Sequence, residues 1–337
     1  MAKSIVAYGC YLPFLRLKRE EYLNALGSCG AEIREKAVMD VDEDVITMAV
    51  EAARNATAGL DTAEIGVLAM ASTNFPCQEK FMAGTVIEAL GLKSDVLTSH
   101  HGYSGLAGAE AFLTAVGMLD QTDRRLAVVV ISDAPAAGVF EEMDHGLGAA
   151  ACAFVLAKDQ PGLEFEGVCA RAAEYMGLRY RLPGETTVRD IGVRAYSSQA
   201  FNETIRAAVS GLLNQVGRSP THYRHLVLPQ TDVKASFSLA EKMGFGASQL
   251  TESLVFDQVG DAGCCSPFLG LCKALEGMEV GDRALLCSYG AGSGSYALSF
   301  GLTGGLLPTP KPVGWQLNRK KYINYMHYLK LKKVYVR

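Results

Sequence analysis

The segment VLTSHHGYSGLAGAEAFLTAVGML, residues 96–119, is the most informative about the fold, because a segment with the same pattern occurs later in the chain. The second copy is SLVFDQVGDAGCCSPFLGLCKALEGM, residues 253–278. Each copy joins a short apolar segment through a glycine-rich corner to a segment with helical spacing. Such a corner exposes a side chain, and the N-terminus of the following helix favours negative charge there. The two copies predict a duplicated unit with a candidate site at a corner.

The segments on either side of the two corners keep the same order and spacing. The apolar segment at 64–74 matches 223–232, and the segment at 124–134 matches 282–290. The residues that correspond at a constant offset of 158 are Thr73 and Thr231, Gly102 and Gly260, Gly105 and Gly263, and Arg125 and Arg283. An extra segment at 134–145 breaks this register. The pattern predicts two α/β halves with helices on both faces of their sheets, and a cleft where strand ends meet.

The composition is that of an ordinary globular protein and narrows the function classes. The chain has 337 residues, is 49% hydrophobic and 20% charged, and carries a formal net charge of −4, which argues against a nucleic-acid-binding protein. Its nine cysteines form no CxxC pair and fit no zinc spacing, so we expect reduced thiols, no metal site and a cytoplasmic location. We expect no membrane partner, because no apolar run of about 18 residues is present and the first residues lack a signal-peptide layout.

Five segments together resemble the thiolase superfamily and, within it, hydroxymethylglutaryl-CoA synthase of the archaeal type. They are SIVAYGCYLPFLRLKREEY, EKAVMDVDEDVITMAVEAARNA, GDAGCCSPFLGL, CSYGAGSGSYALSF and KKYINYMHYLKLKK. The resemblance covers essentially the whole chain. It implies an α/β thiolase fold with five layers, αβαβα, built from duplicated halves at 1–160 and 161–307. A basic, tyrosine-rich segment at 308–337 follows them.

The resemblance also implies a chemistry, Claisen condensation or acyl transfer from coenzyme A. In the family, a cysteine at the first-half corner takes the acyl group, and a glutamate, a histidine and an asparagine complete the site. Aligned on the corners, these four family positions hold Gly105, Thr73, Pro229 and Gln258 here. Glycine has no side chain to acylate and proline has no basic side chain. The chain is therefore expected to lack its own catalytic cysteine.

A condensing-enzyme architecture without its nucleophile resembles the synthase-like subunit of bacterial acetylphloroglucinol acyltransferase complexes. In those complexes a thiolase-like subunit supplies the cysteine, and a small zinc-ribbon/OB-fold subunit joins the two. The resemblance implies a non-catalytic subunit with a homo- or heterodimeric core, no tightly bound cofactor, and a coenzyme A thioester as substrate of the complex. One alternative is an active condensing enzyme, of the hydroxymethylglutaryl-CoA synthase or ketoacyl synthase III type, with a displaced nucleophile. Another is a binding module that keeps an acyl-CoA pocket without turnover.

Several residues near the two corners are candidates for displaced catalytic groups. The candidate nucleophiles or bases are His100, His101, Ser104, Cys264 and Cys265. Each also has a purely structural interpretation: a buried histidine or one at a subunit contact, a small residue in a tight turn, or thiols packed beneath the glycine loop. Asp257, Asp261 and Glu79 are candidates for acid–base work, although solvated carboxylates are commoner.

The C-terminal segment is distinctive in charge. Residues 311–337 contain eight Lys or Arg, four Tyr and no Asp or Glu. We expect it to dock on a partner chain with an acidic groove, because Tyr and Arg are typical interface residues. The alternatives are a solvated tail and a surface for a phosphate-bearing ligand such as coenzyme A. Likewise, the corner at 99–105 is expected to lie at a dimer contact.

Overall fold

The computed structural model of the chain describes residues 2–77 and 79–334. Its strands are β1 (Lys3–Tyr11), β2 (Leu15–Lys18), β3 (Glu35–Val38), β4 (Ile65–Ala71), β5 (Leu97–His101), β6 (Leu126–Asp133), β7 (Ala150–Lys158), β8 (Leu163–Ala172), β9 (His225–Val227), β10 (Arg283–Gly290), β11 (Gly294–Leu302) and β12 (Lys321–Ile323). Its α-helices are α1 (Arg19–Leu26), α2 (Val45–Ala56), α3 (Ala83–Leu90), α4 (Ala107–Met118), α5 (Glu142–Gly146), α6 (Arg194–Val216), α7 (Val233–Lys242), α8 (Ala247–Thr251), α9 (Phe256–Val259), α10 (Ser266–Leu275), α11 (Val313–Asn318) and α12 (Tyr325–Leu331).

Nine strands form one large sheet in the order β5-β4-β6-β7-β1-β8-β11-β10-β9. The order β4-β6-β7-β1 on one side matches β9-β10-β11-β8 on the other. The directions match too, with one parallel pair (β4–β6 and β9–β10) followed by antiparallel pairs. The two sides join through a short pairing of β1 with β8, in which Ser4 faces Glu164 and Ile5 faces Leu163. The predicted duplication is present in the strand topology.

The alternation of side chains along the strands builds the predicted five layers. In β4, Val67, Ala69 and Ala71 pack into a core shared with α4 and α10, whereas Leu68 and Met70 pack into a second core with α2 and α3. Strand β10 divides its side chains in the same way between the central core and a third core with α6 and α7. The thiolase-like αβαβα fold predicted from the sequence is confirmed, with α4 and α10 in the middle layer.

Small residues allow the middle layer to pack closely. A Cβ added at Gly108 of α4 would lie 2.7 Å from the Phe268 ring and 2.8 Å from the carbonyl oxygen of Cys264. The buried Ala107, Ala109 and Ala111 of the same helix leave similar room. The small-residue segment after the first corner therefore reflects contact between the two halves, since larger side chains would separate them.

One predicted strand is absent. At the offset of 158 residues, the segment that corresponds to β5 contains the helix α9, so the predicted duplication does not extend to this strand. The Gln230 side chain binds the backbone at this place: its Oε1 accepts from Val255 N (2.7 Å) and Phe256 N (2.9 Å), and its Nε2 donates to Ser253 O (2.7 Å). One amide side chain thus satisfies polar groups that a sheet ladder would otherwise bind.

The C-terminal segment packs on its own chain. Strand β12 joins β2 and β3 in a three-stranded sheet, and Tyr325, Tyr328 and Leu329 are buried. Lys320 Nζ and the Tyr322 hydroxyl both bind Glu35, at 2.6 and 2.8 Å. The expectation that its polar groups need acids from another chain is therefore wrong for these residues. The remaining part, 335–337, lies outside the described residues, and the predicted domain boundaries stay predictions.

Candidate functional site

A cavity of about 530 Å³ opens where the ends of the strands of the two halves meet. This is the place where α/β folds bind ligands. The residues that line it on the first-half side include Thr73, Tyr103, Ser104 and Gly105, and those on the second-half side include Pro229, Asp261, Gly263, Ser266 and Tyr289. The connection between β8 and α6, within the second half, adds Arg179, Arg181 and Asp190. The duplicated corners therefore form one site.

Three of the four predicted family positions reach this cavity. Thr73, Gly105 and Pro229 line it, whereas Gln258 does not. Asp261, three residues after Gln258, lines it instead. Gly260, with a φ of +82°, turns the chain between these two residues. The assignment of the family's asparagine position to Gln258 stays a prediction.

Gly105 is packed too tightly to carry a side chain. A Cβ added there would overlap the carbonyl oxygen of Tyr289 and come within 3.5 Å of Gly290 Cα. The Ser288 hydroxyl also donates to the Gly105 carbonyl oxygen (3.1 Å). These contacts join the first corner to the end of β10 and the residues that follow it. The position of the expected nucleophile is thus closed by backbone from the opposite half.

Thr73 forms a hydroxyl–carboxylate pair that the sequence did not reveal. Its Oγ1 lies 2.9 Å from both carboxylate oxygens of Asp133, at the end of β6. Asp133 is fully buried and also accepts from the Ala134 and Cys264 amides, each at 3.0 Å. Burial raises the pKa of Asp133, while the hydrogen bonds from Cys264 and Thr73 oppose that rise. Asp133 therefore links the end of β4, at Thr73, to the second corner, at Cys264.

A second polar group crosses the cavity from the connection between β8 and α6. Arg179 Nη1 donates to Asp261 Oδ2 (2.6 Å), and Asp261 Oδ1 accepts from Ser266 Oγ (3.1 Å) and the Gly263 amide (2.9 Å). Burial lowers the pKa of Arg179, but the ion pair with Asp261 and neighbouring carboxylates raises it overall. Arg181 reaches the other side, where it donates to Thr73 O (2.9 Å) and Asn74 Oδ1 (2.8 Å).

Of the candidate nucleophiles, Ser104 alone lines the cavity, next to Gly105. Its Oγ accepts from the Leu106 amide (3.2 Å), and among residues 2–77 and 79–334 no histidine or carboxylate hydrogen-bonds to it. A serine without a basic partner is a weak nucleophile. Neither His100 nor His101 lines the cavity: His100 Nε2 accepts from Ala83 N (3.2 Å), with its ring centroid 4.3 Å from that of Phe81. Both histidines lie on β5.

The two second-half cysteines are also away from the cavity. Cys264 and Cys265 are fully buried and are not among its lining residues. Burial is the main cause that raises the pKa of both thiols, which keeps them protonated and unreactive at neutral pH. Asp257 lies at the surface in an ion pair with Arg34 (2.6 Å), and Glu79 does not line the cavity. Cys264 and Cys265 therefore contribute to the packing of the middle layer.

The described part of the chain contains no cluster of three or more His, Cys, Asp or Glu arranged to hold a metal ion. It also contains no helix of the length and apolarity needed to cross a membrane. The site thus offers a polar cavity with hydroxyl, carboxylate and guanidinium groups. At Gly105, which the resemblance assigns to the family's cysteine position, backbone of the second half fills the space of a side chain.

Comparison with known proteins identifies the family of this chain through individual relatives. No family model matches the sequence. The chain is similar to hydroxymethylglutaryl-CoA synthase of Methanopyrus kandleri, with 30% identity over 341 residues that cover 98% of this chain and 97% of the relative. It is also similar to the synthase of Caldivirga maquilingensis, with 28% identity over 99% of this chain and 98% of the relative.

Solved structures give the same fold. A crystal structure of HMG-CoA synthase complexed with CoA superposes with a TM-score of 0.87, at 19% identity, over 98% of this chain and 90% of the other. MvaS in complex with 3-hydroxy-3-methylglutaryl coenzyme A gives a TM-score of 0.86 at 20% identity, over 98% and 92% of the two chains. These similarities show the fold.

Proposed function

Because this chain belongs to the hydroxymethylglutaryl-CoA synthase family, we propose that its cavity binds an acyl-CoA thioester without forming a covalent acyl-enzyme at the corner. On this proposal the chain is a synthase-like subunit of a thiolase or acyltransferase complex. A thiolase-like subunit supplies the cysteine, and a small zinc-ribbon/OB-fold subunit joins the two. The proposal combines the family membership with the absence of a nucleophile at Gly105.

The observation that carries the proposal is the packing of Gly105. Acyl transfer through a covalent intermediate needs an activated side-chain nucleophile beside the bound thioester. Here the Tyr289 carbonyl occupies the space into which a Cβ of residue 105 would project. Thr73 and Pro229 also line the cavity. The resemblance assigns them to the positions where the family has its glutamate and histidine, and on that assignment three reacting groups are absent from an open cavity.

The names of the relatives favour a second candidate, an active condensing enzyme with a displaced nucleophile. One geometric observation supports it, the Thr73 hydroxyl within 2.9 Å of Asp133. In such a reaction Thr73 Oγ1 attacks the thioester carbonyl and its proton passes to Asp133. The C–S bond breaks, and Asp133 returns the proton to the coenzyme A thiolate. The position of Asp133 weighs against it, because this fully buried carboxylate does not line the cavity in which the thiolate would leave.

Intact-protein mass spectrometry after incubation with acetyl-CoA separates the two candidates. We expect no acetyl adduct and no release of free coenzyme A, together with measurable binding of acetyl-CoA by calorimetry. The matched variant is Thr73→Val, which keeps the shape of the side chain and removes its hydroxyl. An adduct in the wild type that disappears in Thr73→Val contradicts the non-catalytic proposal and supports the displaced nucleophile.

The subunit proposal has its own test. We expect the untagged neighbours of the gene, expressed with this chain, to co-elute from size-exclusion chromatography as one complex. Mass spectrometry of that peak should identify a thiolase-like chain that does acquire an acetyl group. A chain that elutes alone beside its neighbours contradicts the proposed assembly.

A further inference from the structure

The C-terminal helix α12 is linked to one wall of the cavity by a buried polar network. We propose that the C-terminal segment supports one wall of the cavity from behind, and that Tyr328 and Lys36 are positioning residues that hold helix α5 and the cavity wall beside it. Only the identity of the ligand, an acyl-CoA thioester, rests on the proposed function. The inference about the wall rests on the contacts below.

Asp144, in the middle of α5, is the centre of the network and is fully buried. The Tyr328 hydroxyl of α12 lies 2.6 and 2.7 Å from its two carboxylate oxygens. Lys36 Nζ of β3 lies 3.2 Å from Asp144 Oδ2 and 3.1 Å from the Tyr328 hydroxyl. The Tyr22 hydroxyl of α1 adds a fourth contact at 2.9 Å. Donors from three separate elements therefore meet on one carboxylate.

This arrangement constrains α5 more than its own hydrogen bonds can. The helix has five residues, and so short a helix is not stable without tertiary contacts. A buried carboxylate is costly unless donors satisfy it, so Asp144 keeps α5 where those donors are. Lys36 also donates to the Asp144 main-chain oxygen, which fixes the backbone as well as the side chain.

The positions that α5 fixes are cavity positions. Glu142, Met143 and Gly146 of this helix line the cavity. His145, also in α5, accepts a hydrogen bond at Nδ1 from the amide of Gly30 (3.0 Å), which lines the cavity too. Two wall segments, at 30–32 and 142–147, are therefore attached to one network, to which the C-terminal helix α12 contributes Tyr328.

Coupling of this kind is reciprocal: if the tail stabilises the ligand-binding wall, ligand in the cavity stabilises the tail. Tyr328→Phe is the sharpest variant, because it removes one hydroxyl and keeps the ring in its place. Its matched control is Tyr322→Phe, which removes a hydroxyl from the same segment that bonds to Glu35 and does not contact α5.

The test is hydrogen–deuterium exchange of the full-length protein, read at residues 138–148. We expect Tyr328→Phe to speed exchange there by about tenfold, since a hydrogen bond to a buried charge is lost, and Tyr322→Phe to leave it unchanged. The dissociation constant of acetyl-CoA should rise about threefold or more in Tyr328→Phe only. Equal exchange at 138–148 in the two variants overturns the inference.

A second measurement needs no variant and covers the case in which Tyr328→Phe does not fold. In the wild type, saturating acetyl-CoA should slow exchange of α12 at 325–331. Binding without any protection of α12 overturns the inference, whereas a lack of binding contradicts the proposed function and leaves the exchange test of the variants to decide the coupling.

Discussion

The two glycine corners are counterparts in the duplicated fold, yet they contact the opposite half in different ways. A Cβ at Gly105 in the first corner would overlap the main-chain carbonyl of Tyr289 from the second half. A Cβ at Gly263 in the second corner would overlap the side-chain carboxylate of Asp133 from the first half. Gly263 also has a φ of +55°, in the left-handed region, and Gly105 does not.

The glycine at the family's nucleophile position is therefore an interface residue between the halves. At the first corner two stretches of backbone touch, and neither can move aside by rotating a side chain. At the second corner the neighbour is a carboxylate that Thr73 and the Cys264 amide hold in place. A new side chain at the first corner must therefore displace backbone, whereas at the second it competes with hydrogen bonds.

Restoring a thiol at the first corner should give the largest effect. We expect Gly105→Cys to lower the free energy of unfolding by about 3 kcal/mol, because overpacking against backbone cannot relax locally. It should also remain unacetylated by acetyl-CoA in mass spectrometry. Gly117→Cys is the control, since a Cβ there meets nothing within 4 Å. A stable Gly105→Cys protein that accepts acetyl groups contradicts the conclusion that backbone closes the first corner.

At the second corner the expected cost is smaller. Gly263→Ala should lower the free energy of unfolding by about 2 kcal/mol, the cost of a left-handed alanine plus movement of Asp133. Gly91→Ala isolates the backbone contribution, because Gly91 has a φ of +63° and open space around it. If urea denaturation gives the same loss of unfolding free energy for Gly263→Ala and Gly91→Ala, the contact with the Asp133 carboxylate does not contribute to that loss.

Thr73→Val tests the link between the end of β4 and the second corner. Removing the hydroxyl takes one donor from the buried Asp133, so we expect a loss of about 1.5 kcal/mol in the free energy of unfolding. Thr231→Val is the matched control, since Thr231 is the counterpart of Thr73 in the second half and is exposed. Similar losses in both variants contradict a special role for the Thr73–Asp133 pair.

The smallest expected effect is on the pH dependence of stability. Because burial raises the pKa of Asp133, protonation of this carboxylate is more favourable in the native state than in the unfolded state. Its contribution is fully present below the unfolded pKa of about 3.9 and is lost as the pH rises through the higher native pKa. Thr73→Val removes a hydrogen bond that lowers this pKa, so the loss should extend to higher pH than in Thr231→Val. Urea denaturation from acidic to neutral pH measures the difference, and superimposable profiles contradict it.

The sequence was informative wherever a pattern is repeated. The constant offset between Thr73 and Thr231, and between Gly105 and Gly263, predicted the paired strands and the shared cleft. It failed at α9, because the Gln230 side chain replaces a ladder partner there, and no periodicity reports a side chain bonded to distant backbone. A repeat thus predicts topology and does not predict each element.

Within the site, sequence reasoning located Thr73, Gly105 and Pro229 and missed the groups that face them. Arg179 and Arg181 lie in a long connection without hydrophobic periodicity, and their partners are distant in the chain. Asp133 is the last residue of the buried strand β6, and a polar residue at such a position is a usable signal. Its hydrogen bond with Thr73, however, depends on the parallel strands β4 and β6 ending at the same edge of the sheet. Long-range pairs of this kind appear only once the chain is folded.

The close approach of Gly105 to Tyr289 also has an evolutionary consequence. A single substitution at residue 105 cannot place a side chain there without cost, because the backbone at 289–290 must retreat first, and that retreat brings no benefit without the substitution. Each of the two changes made alone loses stability, so selection for stability keeps glycine at this corner. If the chain is the non-catalytic subunit proposed above, the absence of a nucleophile at residue 105 is in this sense entrenched.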